Sequence, residues 1–355
     1  REKLVSDIKS EYEVVRENYY KKAKPEAQAS IKDARKNAAA IEWDGYQPPM
    51  PTFIGARQFD DIDPAVILEF FDWSPFFRTW ELAGHFPKIL DDEVIGETAT
   101  ELYNDAQTML KRIISEKWLT IKAVVGFFPA ARIDDDVVLY KDESRTEIVH
   151  KFHFLRQQMK RSNSRANYSL ADYIAPEDMK IPDYIGGFMV TGGLGIEERL
   201  AEFDKTHDDY SSILLKALAD RFAEATAEYM HQLVRKDLWG YAKDEQLDNS
   251  ALIKEQYRGI RPAPGYPACP DHSEKVGLFE LLDVENKIGA YLTEGFAMMP
   301  ASSVSGYYFS HPDARYFGVG KISKDQVEDY AARKDVSVEQ AERWLASNLS
   351  YDRIR

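Results

Sequence analysis

The chain has 355 residues, 44% of them hydrophobic and 12% aromatic, which is ample for one large packed domain or two of ordinary size. A formal net charge of −14 argues against nucleic acid or an anionic membrane as a partner, because either needs basic surface to replace counterions. The one cysteine, Cys269, excludes an internal disulfide and any multi-cysteine metal site, and suits a reducing, cytoplasmic compartment.

No apolar run approaches the roughly 18 residues of a membrane span, and REKLVSDIKS at the start lacks signal-peptide character. The chain opens on Arg1 rather than methionine, which points to an excerpt that continues upstream into another domain. Leu4, Ile8, Tyr12, Val15 and Tyr19 recur at three- and four-residue steps and predict an amphipathic helix. An alanine-rich helical stretch follows Pro25 and runs to about Ile41, and WDGYQPPMP has the composition of a linker. Residues 1–50 are therefore read as a helical linker, with the main domain spanning 51–355.

Asp63 with Pro64, and then Ser74 with Pro75, carry N-cap and first-turn signatures. Asp72 is left between the two helices without a capping role. IKAVVGFFPAARIDDDVVLY reads as two strands around a turn of aspartates. In HKFHFLRQQMKR, His150 and His153 are expected to be ordinary hydrogen-bonded histidines. Lys151, Arg156, Lys160, Arg161 and Arg165 form the locally basic stretch of an acidic chain; its default reading is a solvated face, its functional one a docking patch for an acidic flavodoxin. GGFMVTGGLG does not fit the dinucleotide-binding GxGxxG pattern and is read as strand and turn.

From Ile213 to Leu233 the helical pattern is strong. Leu214, Leu218, Phe222, Ala225, Tyr229 and Leu233 share a face, and Asp220, Glu224 and Glu228 lie opposite as the expected wet side. Then comes RPAPGYPACPDH, residues 261–272, whose prolines fix φ and remove amide donors. Such a path is stiff, and it leaves carbonyls and the amides of Ala263 and Gly265 available to a polar ligand. Arg261 can grip a carboxylate through parallel hydrogen bonds; a rigid surface turn with a solvated arginine is the plain alternative. Cys269 and His272 have a spacing that metal ligands sometimes show, but a tetrahedral zinc needs three or four ligands, so no metal is expected. LTEGFAMMPASSVSGYYFSHPDARYFGVG reads as strand, loop and strand. Ser323 to Gln326 and Ser337 to Gln340 are two capping boxes, the second with Val336 placed to staple against Ala341. Helices and strands do not alternate regularly, which disfavours a doubly wound parallel sheet and points to an α+β chain.

GIRPAPGYPACPDH followed by EK, FFDWSPFF upstream, and MMPASSVSGYYFSHPDARYF with KISKDQVEDYA downstream resemble, in the same order from about Pro51 to Tyr351, the activation domain of cobalamin-dependent methionine synthase. The resemblance implies a single C-shaped α+β domain with a twisted antiparallel sheet and flanking helices, preceded by a helical linker to a cobalamin-binding domain. It implies binding of S-adenosylmethionine and presentation of its methyl group to cob(II)alamin while a flavodoxin or another flavoprotein supplies an electron. The whole enzyme would be a methyltransferase from 5-methyltetrahydrofolate to homocysteine, for methionine biosynthesis.

By the same resemblance, Arg261 falls on the carboxylate-binding position, Asp72 on one binding the methionyl ammonium end, and Ala263 and Gly265 on backbone positions used for adenosine. Tyr316 and Phe317 fall at the ligand's exposed side, and Glu255 as a supporting carboxylate. Asp220 and Glu224 match acidic positions that contact the cobalamin domain. Phe71, Trp73 and Phe76 are expected to keep water from Asp72. The chain has no D-x-H-x-x-G stretch for cobalamin ligation and no catalytic residue of its own is expected, so it does not run the full cycle. Two other readings stand beside this one: an interaction module that caps cobalamin and recruits a reductase, and a separately encoded reactivation protein acting in trans.

Overall fold

The computed structural model describes residues 28–353 apart from 61 and 161–164, together with Tyr12. The expected helix of the first twenty residues therefore lies, Tyr12 apart, outside the described residues, as does Arg161. The organising element is a six-stranded antiparallel sheet. Its strands are β1 (Gly55–Phe59), β2 (Thr120–Ile133), β3 (Asp136–Tyr140), β4 (Ile148–His153), β5 (Asp183–Leu194) and, after a two-stranded ribbon of β6 (Tyr291–Leu292) and β7 (Met298–Met299), β8 (Ser303–Tyr308). The main order is β4-β3-β2-β5-β8. β2 is long enough to pair β1 through residues 123–127 and β3 through residues 130–133, with β5 along its other side. Asp134 takes a positive φ of 54° in the tight turn to β3, as the run of aspartates predicts.

β2 and β5 read as continuous apolar runs because both faces of the sheet are covered. Val124, Phe128, Ile185 and Met189 enter one core with Leu278 and Leu282. Val125, Phe127, Phe188 and Val190 enter the core on the opposite face, with Ala227, Met230 and Val234. Gly187 and Gly192 let helices approach both faces. A Cβ at the first would lie 2.7 Å from Leu278 Cδ1, and one at the second 2.8 Å from the Ala223 backbone nitrogen.

The helices are α1 (Ile31–Lys36), α2 (Pro64–Ile67), α3 (Ser74–Thr79), α4 (Gly96–Ser115), α5 (Ile196–Lys205), α6 (Asp209–Leu233), α7 (Asn249–Ile253), α8 (Glu274–Leu282), α9 (Val284–Ile288), α10 (Lys324–Lys334) and α11 (Val338–Trp344). α6 is the spine of the molecule. The Asp208 carboxylate accepts the Ser211 amide at 3.0 Å to start it, and it ends in one π-helical turn, Val234–Leu238. Leu214, Leu218 and Phe222 are buried against α3 and α4 in a helical lobe, while Ala227 and Met230 cover the sheet. No helix among the described residues is long and apolar enough to cross a membrane.

Residues assigned to the linker are anchored from residue 28 onward. Ala29 donates its amide to the Gln158 carbonyl at 2.7 Å, the Ile31 amide meets Asp325 Oδ2 at 2.6 Å, and Trp43 is buried against His311.

Two local expectations change, those for Arg156 and for the Ser323 box, while that of a hydrogen-bonded His153 holds. Arg156 is no part of a solvated basic face. It is 2% exposed, with its guanidinium on Asp135 and on both oxygens of Asp172 at 2.7–2.8 Å. His150 and His153 lie on a strand, β4, and His153 Nδ1 is 3.0 Å from Asp136 Oδ1. The Ser323 to Gln326 box does not form. Gln326 is fully buried and turns inward to bond the Arg156 backbone and Gln158, while Ser323 donates to Asp325. At the other box Ser337 does accept the Gln340 amide, at 3.2 Å.

Candidate functional site

The proline-rich loop runs beside the edge of the sheet and is stitched to it. Ile260 and Phe309 exchange backbone hydrogen bonds at 3.1 and 3.0 Å, and Tyr307 donates its amide to the Pro262 carbonyl at 2.9 Å. Further along, Val319 donates to the Pro267 carbonyl at 2.8 Å. A segment with few donors is thus held by carbonyl acceptance, which the prolines permit.

Two adjoining cavities, ≈ 470 and ≈ 550 Å³, lie along this loop and share Glu224, Glu255, Arg261 and Tyr266 in their walls. Each is in the range of small-molecule sites. Ala263, Tyr316 and Phe317 line the first; Asp72, Phe70 and Arg78 line the second. Together they make an elongated groove with Asp72 in one half, Tyr316 in the other and Arg261 in the wall common to both.

Six of the seven ligand positions named from the sequence therefore meet in one place. Gly265 is the exception. It does not line the groove, and its amide is spent on the Cys269 carbonyl at 2.7 Å, closing a turn with φ of 93°. Asp72 is also less idle than expected: its Oδ1 accepts the Ser74 amide at 2.9 Å. The aromatic wall near it is Phe70, since Phe71, Trp73 and Phe76 are packed inside the helical lobe. Glu224 lines both halves of the groove, whereas Asp220 is exposed and paired with Arg221.

Arg261 is the best-supported side chain of the site. Its Nη2 lies 2.7 Å from Glu228 Oε2, and its Nη1 donates to the Tyr257 hydroxyl at 3.0 Å and lies 3.2 Å from His231 Nδ1. Burial works against its charge, but Glu228, Tyr257 and Tyr316 together more than offset this and hold the guanidinium protonated above its usual range. Burial, with Arg235 and Arg261 nearby, pushes His231 well below the usual imidazole range. His231 is therefore neutral and free to accept from Arg261. Its ring stacks on Tyr308 at 5.2 Å. Glu224 and Glu255 are both pushed up from the usual carboxylate range, first by burial.

Glu228, His231, Tyr257 and Tyr266 were not identified as site residues in the sequence. The expectation that Glu228 belongs to a wet side is wrong: it is 7% exposed and faces Arg261 and Arg235. The spacing of Glu224, Glu228, His231 and Arg235 is that of one helical stripe, a polar line in the half of the helix that is mostly buried.

Residues 64–335 match the family model described as vitamin B12 dependent methionine synthase, activation domain. The chain belongs to this family. It is also similar to a crystal structure of the MetH reactivation domain bound to AdoHcy, with a TM-score of 0.89 and 51% identity over 92% of this chain and 99% of the other. The fold of this activation domain, mixed helices on an antiparallel sheet, is the same as that of the reactivation domain.

Cys269 and His272 take no part in the groove. The Cys269 thiol is buried and pushed up by that burial, and His272 Nδ1 lies 2.8 Å from Lys275 Nζ.

Proposed function

We propose that this activation domain binds S-adenosylmethionine along the groove and presents its methyl group for reductive methylation of cob(II)alamin held by a neighbouring domain. The observation that carries the reading is the shared wall. Arg261 stands between the Asp72 half and the Ala263–Tyr316 half, in a chain 51% identical to a domain that binds AdoHcy. AdoHcy is what remains of S-adenosylmethionine after its methyl group has been transferred.

In this reading the α-carboxylate of the ligand meets Arg261, the α-ammonium meets Asp72 with Glu255 in support, and the adenosine lies against Ala263, Tyr316 and Phe317. Glu224 and Glu255, pushed up chiefly by burial, favour a ligand that carries positive charge. An SN2-like methyl transfer moves no proton, so the chain needs no general acid or base. Its contribution is to hold the methyl donor in line and keep its charged end dry. Cobalamin, bound by the neighbouring domain, supplies the metal nucleophile. The groove opens at Tyr266, 59% exposed, and Tyr316, 38% exposed, two rings suited to face a flat macrocycle. Asp220, exposed next to the groove-lining Arg221, would then touch that domain.

The same reading makes the chain part of a cytoplasmic methyltransferase that moves methyl from 5-methyltetrahydrofolate to homocysteine, with a flavodoxin-type reductase supplying the electron. Isothermal titration with S-adenosylmethionine tests the core of it. Saturable binding that weakens at least tenfold in Arg261→Ala, about 1.4 kcal/mol, is the expected result. A folded chain that does not bind would instead favour a module that caps cobalamin and recruits the reductase.

A further inference from the structure

A guanidinium carries five N–H donors; in Arg261, Nη1 donates to the Tyr257 hydroxyl and lies 3.2 Å from His231 Nδ1, while Nη2 is paired with Glu228 Oε2 at 2.7 Å. The edge made by Nε and Nη2 is the one that can offer a carboxylate two parallel bonds. The three partners come from two different elements. Glu228 and His231 stand one turn apart on α6, and Tyr257 precedes the proline loop. Tyr316 adds a fourth restraint by accepting the Arg261 backbone amide at 3.0 Å.

Glu228 has a second neighbour. Its Oε1 lies 3.8 Å from Arg235 Nη1, and both atoms are buried without a hydrogen-bond partner. Arg235 is itself gripped by Glu245 through contacts of 2.7–3.0 Å. The Tyr257 ring lies between the two guanidiniums, 4.3 Å from that of Arg235 and 5.8 Å from that of Arg261. One carboxylate therefore stands between two buried cations, and removing its charge leaves Arg261 held on this side only by the neutral His231 and Tyr257.

We propose that Glu228 is a positioning residue: with His231 and Tyr257 it forms a socket that fixes which two N–H groups of Arg261 face the groove, and so sets the affinity for the carboxylate of the bound amino-acid moiety. This rests on the ligand reading above. The chemistry predicts selectivity within one ligand pair. S-adenosylmethionine has the amino-acid carboxylate, while its decarboxylated form, S-adenosyl-3-methylthiopropylamine, keeps the nucleoside, the sulfonium and the ammonium but lacks it.

The experiment is titration of the 355-residue chain and its Glu228→Gln variant with both compounds, alongside Arg261→Ala and a thermal melt of each. Glu228→Gln is expected to weaken S-adenosylmethionine at least tenfold and its decarboxylated form less than twofold, and Glu228→Asp to recover part of the loss. Equal weakening of both compounds, or of neither, overturns the socket. If the wild-type chain binds neither compound, the ligand reading fails and the socket with it. If Arg261→Ala weakens S-adenosylmethionine and Glu228→Gln does not, the socket alone fails. Should Glu228→Gln unfold, Tyr257→Phe removes one hydroxyl acceptor and is read by the same ratio of affinities.

Discussion

The Asp72 carboxylate accepts the Ser74 amide at 2.9 Å, so the acid that faces the groove is aimed by the turn that starts α3. One oxygen is structural and the other is left to the groove. Asp72→Asn retains an oxygen acceptor and is expected to leave the melting temperature nearly unchanged while weakening S-adenosylmethionine severalfold or more. Asp72→Ala removes the acceptor too and should also cost stability, about 0.5–2 kcal/mol as for other lost helix-start acceptors. Titration and thermal melts of the two variants together separate the roles; equal binding by wild type and Asp72→Asn would remove Asp72 from the ligand site.

Gly265 lies outside the groove lining and closes a turn of the loop that carries it. Its φ of 93° suits glycine, and a Cβ there would sit 2.2 Å from the His272 ring. Gly265→Ala is expected to destabilise the chain by more than ~1 kcal/mol. Because part of that cost is the clash, adding His272→Ala should return some of it, giving a non-additive double-mutant cycle. Strict additivity in denaturant unfolding would show that the backbone conformation alone is responsible.

Arg156 offers a direct choice between a docking surface and a buried brace. Asp135 and Asp172, its partners, are themselves fully buried, and in Arg156→Met they keep only the partly exposed Arg35 and Arg132 beside them, so the variant leaves two buried carboxylates under-compensated. The expected loss is about 3–5 kcal/mol, measured by urea unfolding. A solvated arginine would change stability by no more than about 0.5 kcal/mol. A change that small would restore the basic stretch as a surface.

These residues also mark how far the sequence could be read. α6 and the β2–β3 hairpin were legible because their signals are local: an apolar stripe at helical spacing, and β-branched runs around an aspartate turn. Glu228 and Arg156 were not. A charged residue in a helix or strand reads as solvated unless its counter-charge is visible, and Arg261 and Asp172 reach them only through the tertiary fold. Gln326 misled for the same reason, since a capping-box glutamine and a core-bridging one look alike in sequence. Asp72 could be named from the family resemblance but not from its own neighbourhood. Gly265 was rightly singled out as special, yet the amide thought free is closed by its own turn.

Asp183 gives the chain a pH dependence of definite sign. It opens β5, is 3% exposed, and accepts the amides of Ala175 at 2.8 Å and Tyr184 at 2.7 Å. Burial raises its pKa from 3.8 to about 7, more than those amides and Arg145 lower it. Between these two values the folded chain keeps a proton that the unfolded chain has released. Stability from this group therefore is full below the lower value and declines as pH rises toward the upper one. Other groups, such as His150, lowered to about 4, act in the opposite direction, so the effect is isolated by difference. Asp183→Asn does not titrate, and it exchanges one acceptor oxygen for a donor at a fixed cost. The stability of wild type minus that of Asp183→Asn, from urea unfolding at a series of pH values, should fall through the window and level off above it. A difference that stays flat would mean that the Asp183 carboxyl ionises in the folded protein as it does in the unfolded one.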